Sequence, residues 1–166
     1  VMTAPPAARL EIVAADPLAK LYNKILLDLG IMPVVRTQLV KGENLREPFV
    51  DDFFDLVYTN NALDHMQDPV RALEAMIAIC KPGHTVMIEG TAAGDGESNS
   101  DKWSIDVEND SMVIYRSSSR HRVDSGFAGL LESVQCNKFA TGPRYWMKCI
   151  LRKAGGRRWG KSYMTQ

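Results

Sequence analysis

The chain has 166 residues, 45% hydrophobic and 24% charged, with 20 basic and 20 acidic side chains. That is one domain's worth of ordinary globular composition, and it excludes a disordered, fibrous or low-complexity protein. No apolar run is long enough to span a bilayer, and no signal-like segment opens the chain, so no membrane contact and a cytoplasmic protein are expected. The neutral total hides an asymmetry: residues 1–110 hold 18 acids and 9 bases, and residues 111–166 hold 2 acids and 11 bases. The basic end suits an anionic partner or the acidic first part of the chain. Cys80, Cys136 and Cys149 are an odd set without CxxC spacing. They predict neither a disulfide framework nor a zinc site, and they fit a reducing compartment.

In chain order, residues 1–9 read as a linker or trimmed end. Leu10–Ala15 is a short apolar run compatible with a buried strand. Asp16-Pro17 opens a helix, with Asp as cap and Pro in the first turn. Leu18, Leu21, Tyr22, Ile25 and Leu29 share one helical face, and Gly30 suits the helix end. Arg36–Val40 reads as a second strand, followed by the turn-like Lys41-Gly42-Glu43-Asn44. Phe53–Thr59 is a mostly apolar strand ending in Asn60-Asn61. Asp68-Pro69 starts another helix, whose face is Val70, Leu73, Met76, Ile77 and Cys80, and Lys81-Pro82-Gly83 stops it. Thr85–Ile88 is again a strand, and residues 90–101 read as a flexible loop. Trp103, Ile105 and Val107 alternate ahead of Met112–Tyr115, the pattern of a hairpin. Tyr145–Leu151 is a last strand, and residues 152–166 read as a basic, flexible tail.

Strands alternating with helices predict an α/β, doubly wound, mainly parallel sheet, with antiparallel strands near the C-terminus. Ligands in such sheets sit at the carboxyl ends of the strands. Three polar clusters fall there: Asp16, Gly42-Glu43-Asn44, and Asn60-Asn61 with Asp64-His65. An acid at the end of a strand can accept both ribose hydroxyls of an adenosine-type cofactor, and Asp16 serves equally well as a simple helix cap. Gly42-Glu43-Asn44 is either a bare turn or a turn presenting a group to an adenine edge. Two Asn, an Asp and a His within six residues are costly to bury unsatisfied, so they face solvent, a ligand or one another. His65 has the chemistry of a general base. His84 and His121 read as solvated. No Walker-type or GxSxG loop is present. Arg144, Lys148, Arg152, Lys153, Arg157, Arg158 and Lys161, with Tyr145, Trp146 and Trp159 between them, read as a solvated end or as a grip for phosphates.

The stretch Phe54-Asp55-Leu56-Val57-Tyr58-Thr59-Asn60-Asn61-Ala62-Leu63-Asp64-His65, followed by Asp68-Pro69 and Lys81-Pro82-Gly83, resembles class I S-adenosylmethionine-dependent methyltransferases. In that family a fourth strand reads like FDLV, an Asn/His-bearing loop follows, and KPGG precedes the fifth strand. Ile12–Pro17 is similar to the second strand with its ribose-binding acid, and Val40–Leu45 to the loop that flanks adenine. The resemblance covers about residues 10–115.

It implies a Rossmann-like fold and S-adenosyl-L-methionine as cofactor, with methyl transfer to a small molecule or macromolecule. Asp16, Pro17, Gly42, Glu43, Asn44, Asn60 and Asn61 would line the cofactor, and His65 and Asp64 would meet the acceptor. Two departures stand out. His84 replaces a second glycine. The family's first strand and its GxGxG loop, expected before residue 10, are absent, so the sheet is expected to be incomplete at its N-terminus, completed by a further chain segment. The alternative is a non-catalytic Rossmann-like interaction module with a basic C-terminal surface. An NAD(P)-dependent oxidoreductase suits Asp16 but lacks a Tyr-x-x-x-Lys pair.

Overall fold

Only two residues of the apolar run Leu10–Ala15 form ladder bonds. The computed structural model of the chain describes residues 10–93, 102–142 and 144–156, and they divide into two units at Lys41/Gly42. The expected linker 1–9 lies outside the described residues.

The first unit is a small β-α-β element. β1 (Ala14–Ala15) and β2 (Thr37–Gln38) run parallel, with Ala14 opposite Thr37 and Ala15 opposite Gln38. α1 (Ala19–Asp28) connects them. It begins slightly later than the Asp16 cap predicts, because Asp16 turns the chain first: its Oδ1 accepts the Leu18 N–H at 2.7 Å. The helix ends as Gly30 predicts. Gly30 takes φ +67°, its N–H donates to the Leu27 oxygen, and the Ile31 N–H reaches back to the Leu26 oxygen at 2.8 Å. This is a Schellman closure that a side chain with a Cβ disfavours. The predicted apolar face of α1 is present but uncovered: Leu18, Leu21, Tyr22, Ile25 and Leu29 are all exposed, and Ala19 is the buried helical position.

The second unit carries the main sheet, in the order β3-β4-β9-β8. β3 (Phe54–Asn60) runs parallel to β4 (Cys80–Ala92). β9 (Arg144–Lys153) is antiparallel to β4 and to β8 (Leu131–Thr141). A separate antiparallel sheet, β5 (Ser104–Glu108), β6 (Ser111–Arg116) and β7 (Ser119–Arg122), leads into the short α3 (Val123–Gly126). The predicted hairpin is therefore real, with a third strand added. The architecture is α/β as expected, and the main sheet is mixed: β3 and β4 run parallel, and β9 and β8 add the expected antiparallel C-terminal strands. Part of the predicted loop, residues 90–92, extends β4, and residues 94–101 lie outside the described residues.

α2 (Pro69–Ile79) follows its predicted start closely. The Asp68 side chain accepts the Arg71 N–H at 3.0 Å, and Pro69 occupies the first turn, where its missing N–H costs nothing. Eight of its eleven residues are buried, including Leu73, Met76 and Ile77. α2 packs on β3 and β4, and Val86, Ile88, Cys149 and Leu151 are buried. The opposite face, with Leu56, Tyr58 and Ile150, is exposed. β3 ends the sheet order, so one of its edges has no partner among the described strands.

Two expectations about the C-terminal part are overturned. Cys136 and Cys149 form a disulfide. They stand opposite each other on β8 and β9, a juxtaposition invisible until β8, a strand of weakly apolar character, is recognised. Composition therefore no longer argues for a reducing compartment. The expected tail also begins inside the fold: Arg152 and Lys153 belong to β9. Lys153 is 2% exposed. Its Nζ donates to Asp52 Oδ1 at 2.6 Å, to the Ala78 oxygen at 2.9 Å and to the Cys80 oxygen at 2.7 Å. The ammonium thus closes the carboxyl end of α2, where unpaired carbonyls and the helix dipole favour a cation. No helix among the described residues is long and apolar enough to cross a membrane.

Candidate functional site

The carboxyl ends of β3 and β4 meet at Asn61. Its φ is 49°, a left-handed conformation that Asn tolerates better than most residues. Its N–H donates to the Glu89 oxygen at 2.8 Å. Its Oδ1 accepts from the Thr91 N–H and the Thr91 Oγ1, each at 3.2 Å. A Cβ on Gly90 would lie 3.3 Å from the Asn61 Cα, so a larger residue there would press on this bend. Asn61 is predicted to be a bend-forming residue first. Asn61→Gly is expected to keep the turn, losing only the Thr91 bridge, and Asn61→Ala to lose about 1 kcal/mol more through backbone strain. Thermal denaturation of the two variants checks this, and equal losses would remove the strain argument.

From this bend the chain enters the 3-10 turn Leu63–His65, pinned by the buried Leu63. Asp64 Oδ2 lies 3.6 Å from His65 Nε2, and the His65 side chain is 64% exposed. The two predicted acceptor-side residues therefore stand together, with the imidazole open. Glu43, in the 3-10 turn Gly42–Asn44, reaches the same loop. Its Oε1 accepts the Gln67 and Asp68 N–H groups at 2.9 and 3.2 Å. Its carboxylate thus buttresses the start of α2, a role beyond both the bare turn and the adenine contact that the sequence suggests. Gly42 fits closely below: a Cβ there would fall 2.7 Å from Met66 Sδ and 3.3 Å from the Ala72 Cβ. Asn44 Nδ2 donates to Glu47 Oε1 at 2.7 Å.

Asn60 belongs to a network that local sequence does not reveal. Asn60 Nδ2 donates to Tyr58 Oη at 3.0 Å, and Tyr58 Oη donates to Glu89 Oε2 at 3.0 Å. Lys148 Nζ lies 3.1 Å from Glu89 Oε1. Strand register creates this row, with Asn60 opposite Glu89 and Glu89 opposite Lys148. The Lys148 ammonium first, and the Tyr58 hydroxyl next, hold the Glu89 carboxyl below the ordinary glutamate range. A folded-state pKa below the unfolded one gives stability that is present above the unfolded value and is lost as pH falls through the folded one. Carbon-detected NMR titration is expected to place the Glu89 midpoint below that of a free glutamate, and Lys148→Ala to move it back up. An unmoved midpoint in the variant would contradict the pairing.

A second wall comes from the antiparallel sheet. The Trp103 indole Nε1–H donates to the Gln67 oxygen at 3.0 Å, two residues past His65. Arg116 and His121 lie against the same indole. The sequence singled out Trp103 as part of a hairpin, and only the fold brings it to this loop.

In the first unit, Asp16 stands at the end of β1. Its N–H donates to the Gln38 oxygen at 3.0 Å, and its backbone oxygen accepts from Ala19 at 3.2 Å. Pro17 follows it in the turn leading into α1. Asp16 Oδ1 is occupied by Leu18, as described above. Among the basic residues of the C-terminal end, Lys148, Arg152 and Lys153 pair internally with Glu89, Glu132 and Asp52. Arg157, Arg158, Trp159 and Lys161 lie outside the described residues. His84 and His121 are exposed, as expected.

A strand-end acid ahead of a helix, an Asn-rich bend at the end of a parallel strand and an antiparallel β8–β9 pair closing the sheet are features of the class I, Rossmann-like methyltransferase fold. Residues 6–123 match the methyltransferase-domain family, and the chain belongs to that family. Among curated proteins it is similar to an uncharacterised methyltransferase of Schizosaccharomyces pombe, 30% identical over 79 residues, covering 44% of this chain and 28% of that protein. Among solved structures it is similar to the [4+2]-cyclase SpnF, at a TM-score of 0.57 and 14% identity, covering 83% of this chain and 63% of the other. The N-methyltransferase NodS of Bradyrhizobium japonicum gives a TM-score of 0.52 at 10% identity, covering 86% and 72%. The chain thus spans less than two thirds of the length of the first two. At these identities the structural likenesses speak for the fold, which hosts more than one chemistry.

Proposed function

We propose that the chain is part of an S-adenosylmethionine-dependent methyltransferase catalytic domain. Asp16 holds the ribose hydroxyls, with Pro17 shaping the turn behind it. Gly42, Glu43 and Asn44 border the adenine through their backbone, since the Glu43 carboxylate already braces α2. Asn60 and the Asn61 backbone border the amino-acid end of the cofactor. His65, with Asp64 beside it, faces the acceptor and can take its proton. The cofactor supplies an activated methyl group, so the protein's work is to hold the acceptor in line and to exclude water.

The observation that carries this reading is the concentration of Asn60, Asn61, Asp64 and His65 at the carboxyl end of a parallel strand, the place where ligands bind in sheets of this class. The edge of β3 that has no partner among the described strands, with Leu56 and Tyr58 exposed beside it, supports a further parallel strand supplied by another segment and carrying the glycine-rich loop. Parallel strands in α/β proteins are ordinarily covered on both faces. Calorimetric titration with S-adenosylhomocysteine tests the reading: the longest polypeptide encoded with this chain is expected to bind it, and more tightly than the 166-residue chain does. If that polypeptide shows no binding, the non-catalytic interaction module is the better description.

A further inference from the structure

Trp103, Arg116 and His121 form a cluster that the reading above does not use. The Arg116 guanidinium carbon lies 4.4 Å from the centre of the Trp103 ring. The His121 ring centre lies 6.2 Å from it, tilted by 52°. The neighbouring arginines of the same sheet are matched by carboxylates: Arg120 by Glu108, and Arg122 by Asp124 at 2.8 Å. Arg116 is exposed and, among the described residues, has the indole face as its partner and no carboxylate. A guanidinium stacked on an aromatic ring keeps its N–H edge outward, and that fork matches a carboxylate with two parallel hydrogen bonds. The indole is itself fixed, because its Nε1–H is bonded to the Gln67 oxygen, so the stacked pair is held next to the Asp64–His65 turn rather than free to swing. His121 adds a second donor on the same side.

We propose that Trp103 and Arg116 form a carboxylate-binding ledge beside the Asp64–His65 turn. The carboxylate belongs either to the methyl acceptor or to the amino-acid end of the cofactor. This assignment of roles rests on the methyl-transfer reading, and the binding itself does not. A flat aromatic or conjugated carboxylate suits the ledge best, since the group it meets is planar and its edge lies along an indole.

The test follows the indole N–H signal of Trp103 in the full chain by NMR, assigned through Trp103→Phe. Benzoate, neutral benzamide and S-adenosylhomocysteine are titrated separately. Benzoate is expected to move the signal saturably and benzamide to leave it in place, with at least a tenfold weaker benzoate response in Arg116→Gln. That result assigns the ledge to the acceptor. A response to S-adenosylhomocysteine that Arg116→Gln abolishes, without one to benzoate, assigns it to the cofactor. If neither carboxylate moves the signal, or if Arg116→Gln responds like the parent protein, the ledge does not exist. Calorimetry of S-adenosylhomocysteine reports separately on the methyltransferase reading, so a benzoate response in a protein that binds no cofactor keeps the ledge and sinks the reading.

Discussion

Replacing Lys153 by methionine is expected to destabilise the protein by about 1–3 kcal/mol, the cost of leaving a buried acceptor short of its donor. The methionine keeps most of the apolar stem, so the loss isolates the ammonium. Three acceptors depend on that group: Asp52 Oδ1 and the carbonyl oxygens of Ala78 and Cys80. The Cys80 carbonyl loses the lysine donor, the Ala78 carbonyl keeps only the Asp52 N–H, and the Asp52 carboxylate, 34% exposed, loses its counter-charge. Asp52 also sits at φ 61° with its N–H on the Ala78 oxygen, so its own bend relies on the same corner. Asp52→Asn is expected to cost less, since Asn suits the left-handed conformation and still offers an oxygen to the lysine. Urea midpoints of the two variants check the order. A loss below about 1 kcal/mol for Lys153→Met would show that water replaces the ammonium easily, and that the corner is not held by charge.

Substituting Asp16 by asparagine is expected to weaken S-adenosylhomocysteine binding at least tenfold in a cofactor-binding form of the protein. The substitution is chosen because the side-chain oxygen that accepts the Leu18 N–H survives it. The turn into α1 is therefore kept, and only the charge and one acceptor oxygen are lost. Two ribose hydroxyls shared between carboxylate oxygens are worth roughly 1.5–3 kcal/mol each when the acceptor is ionised, so losing one of them exceeds the 1.4 kcal/mol of a tenfold change. Asp16→Ala, which also removes the turn bond, is expected to lose affinity and stability together. An unchanged dissociation constant in Asp16→Asn would leave Asp16 as a helix-start residue and nothing more.

What could be read in the sequence followed short-range chemistry. Asp68-Pro69 announced α2 because a cap and a proline act within one turn. Gly30 announced the end of α1 for the same reason. Phe53–Thr59 stands out as a strand because its apolar content is high and the polar pair Asn60-Asn61 ends it. Features that depend on partners distant in sequence stayed hidden. β8 is hidden in the sequence because Gln135, Asn137 and Lys138 dilute its apolar signal, and the Cys136–Cys149 bond is hidden along with it. Lys153 looked like part of a solvated tail, since nothing local shows that β9 will carry it beneath the end of α2. At the site, the types Asn60, Asn61, Asp64 and His65 were legible. The Tyr58–Glu89–Lys148 row was not, because strand register alone creates it. The apolar face of α1 was read correctly as a face, but it is exposed here: periodicity tells which side of a helix seeks cover, and not what covers it.

The central claim is that the Asn60–Asn61 bend and the Asp64–His65 turn, at the carboxyl end of β3, border an S-adenosyl pocket. A crystal structure of the cofactor-binding form with S-adenosylhomocysteine tests it most directly. The expected result is the homocysteine end beside Asn60, with His65 opening onto the sulfur side. A ligand bound away from Asn60 and His65 would contradict it.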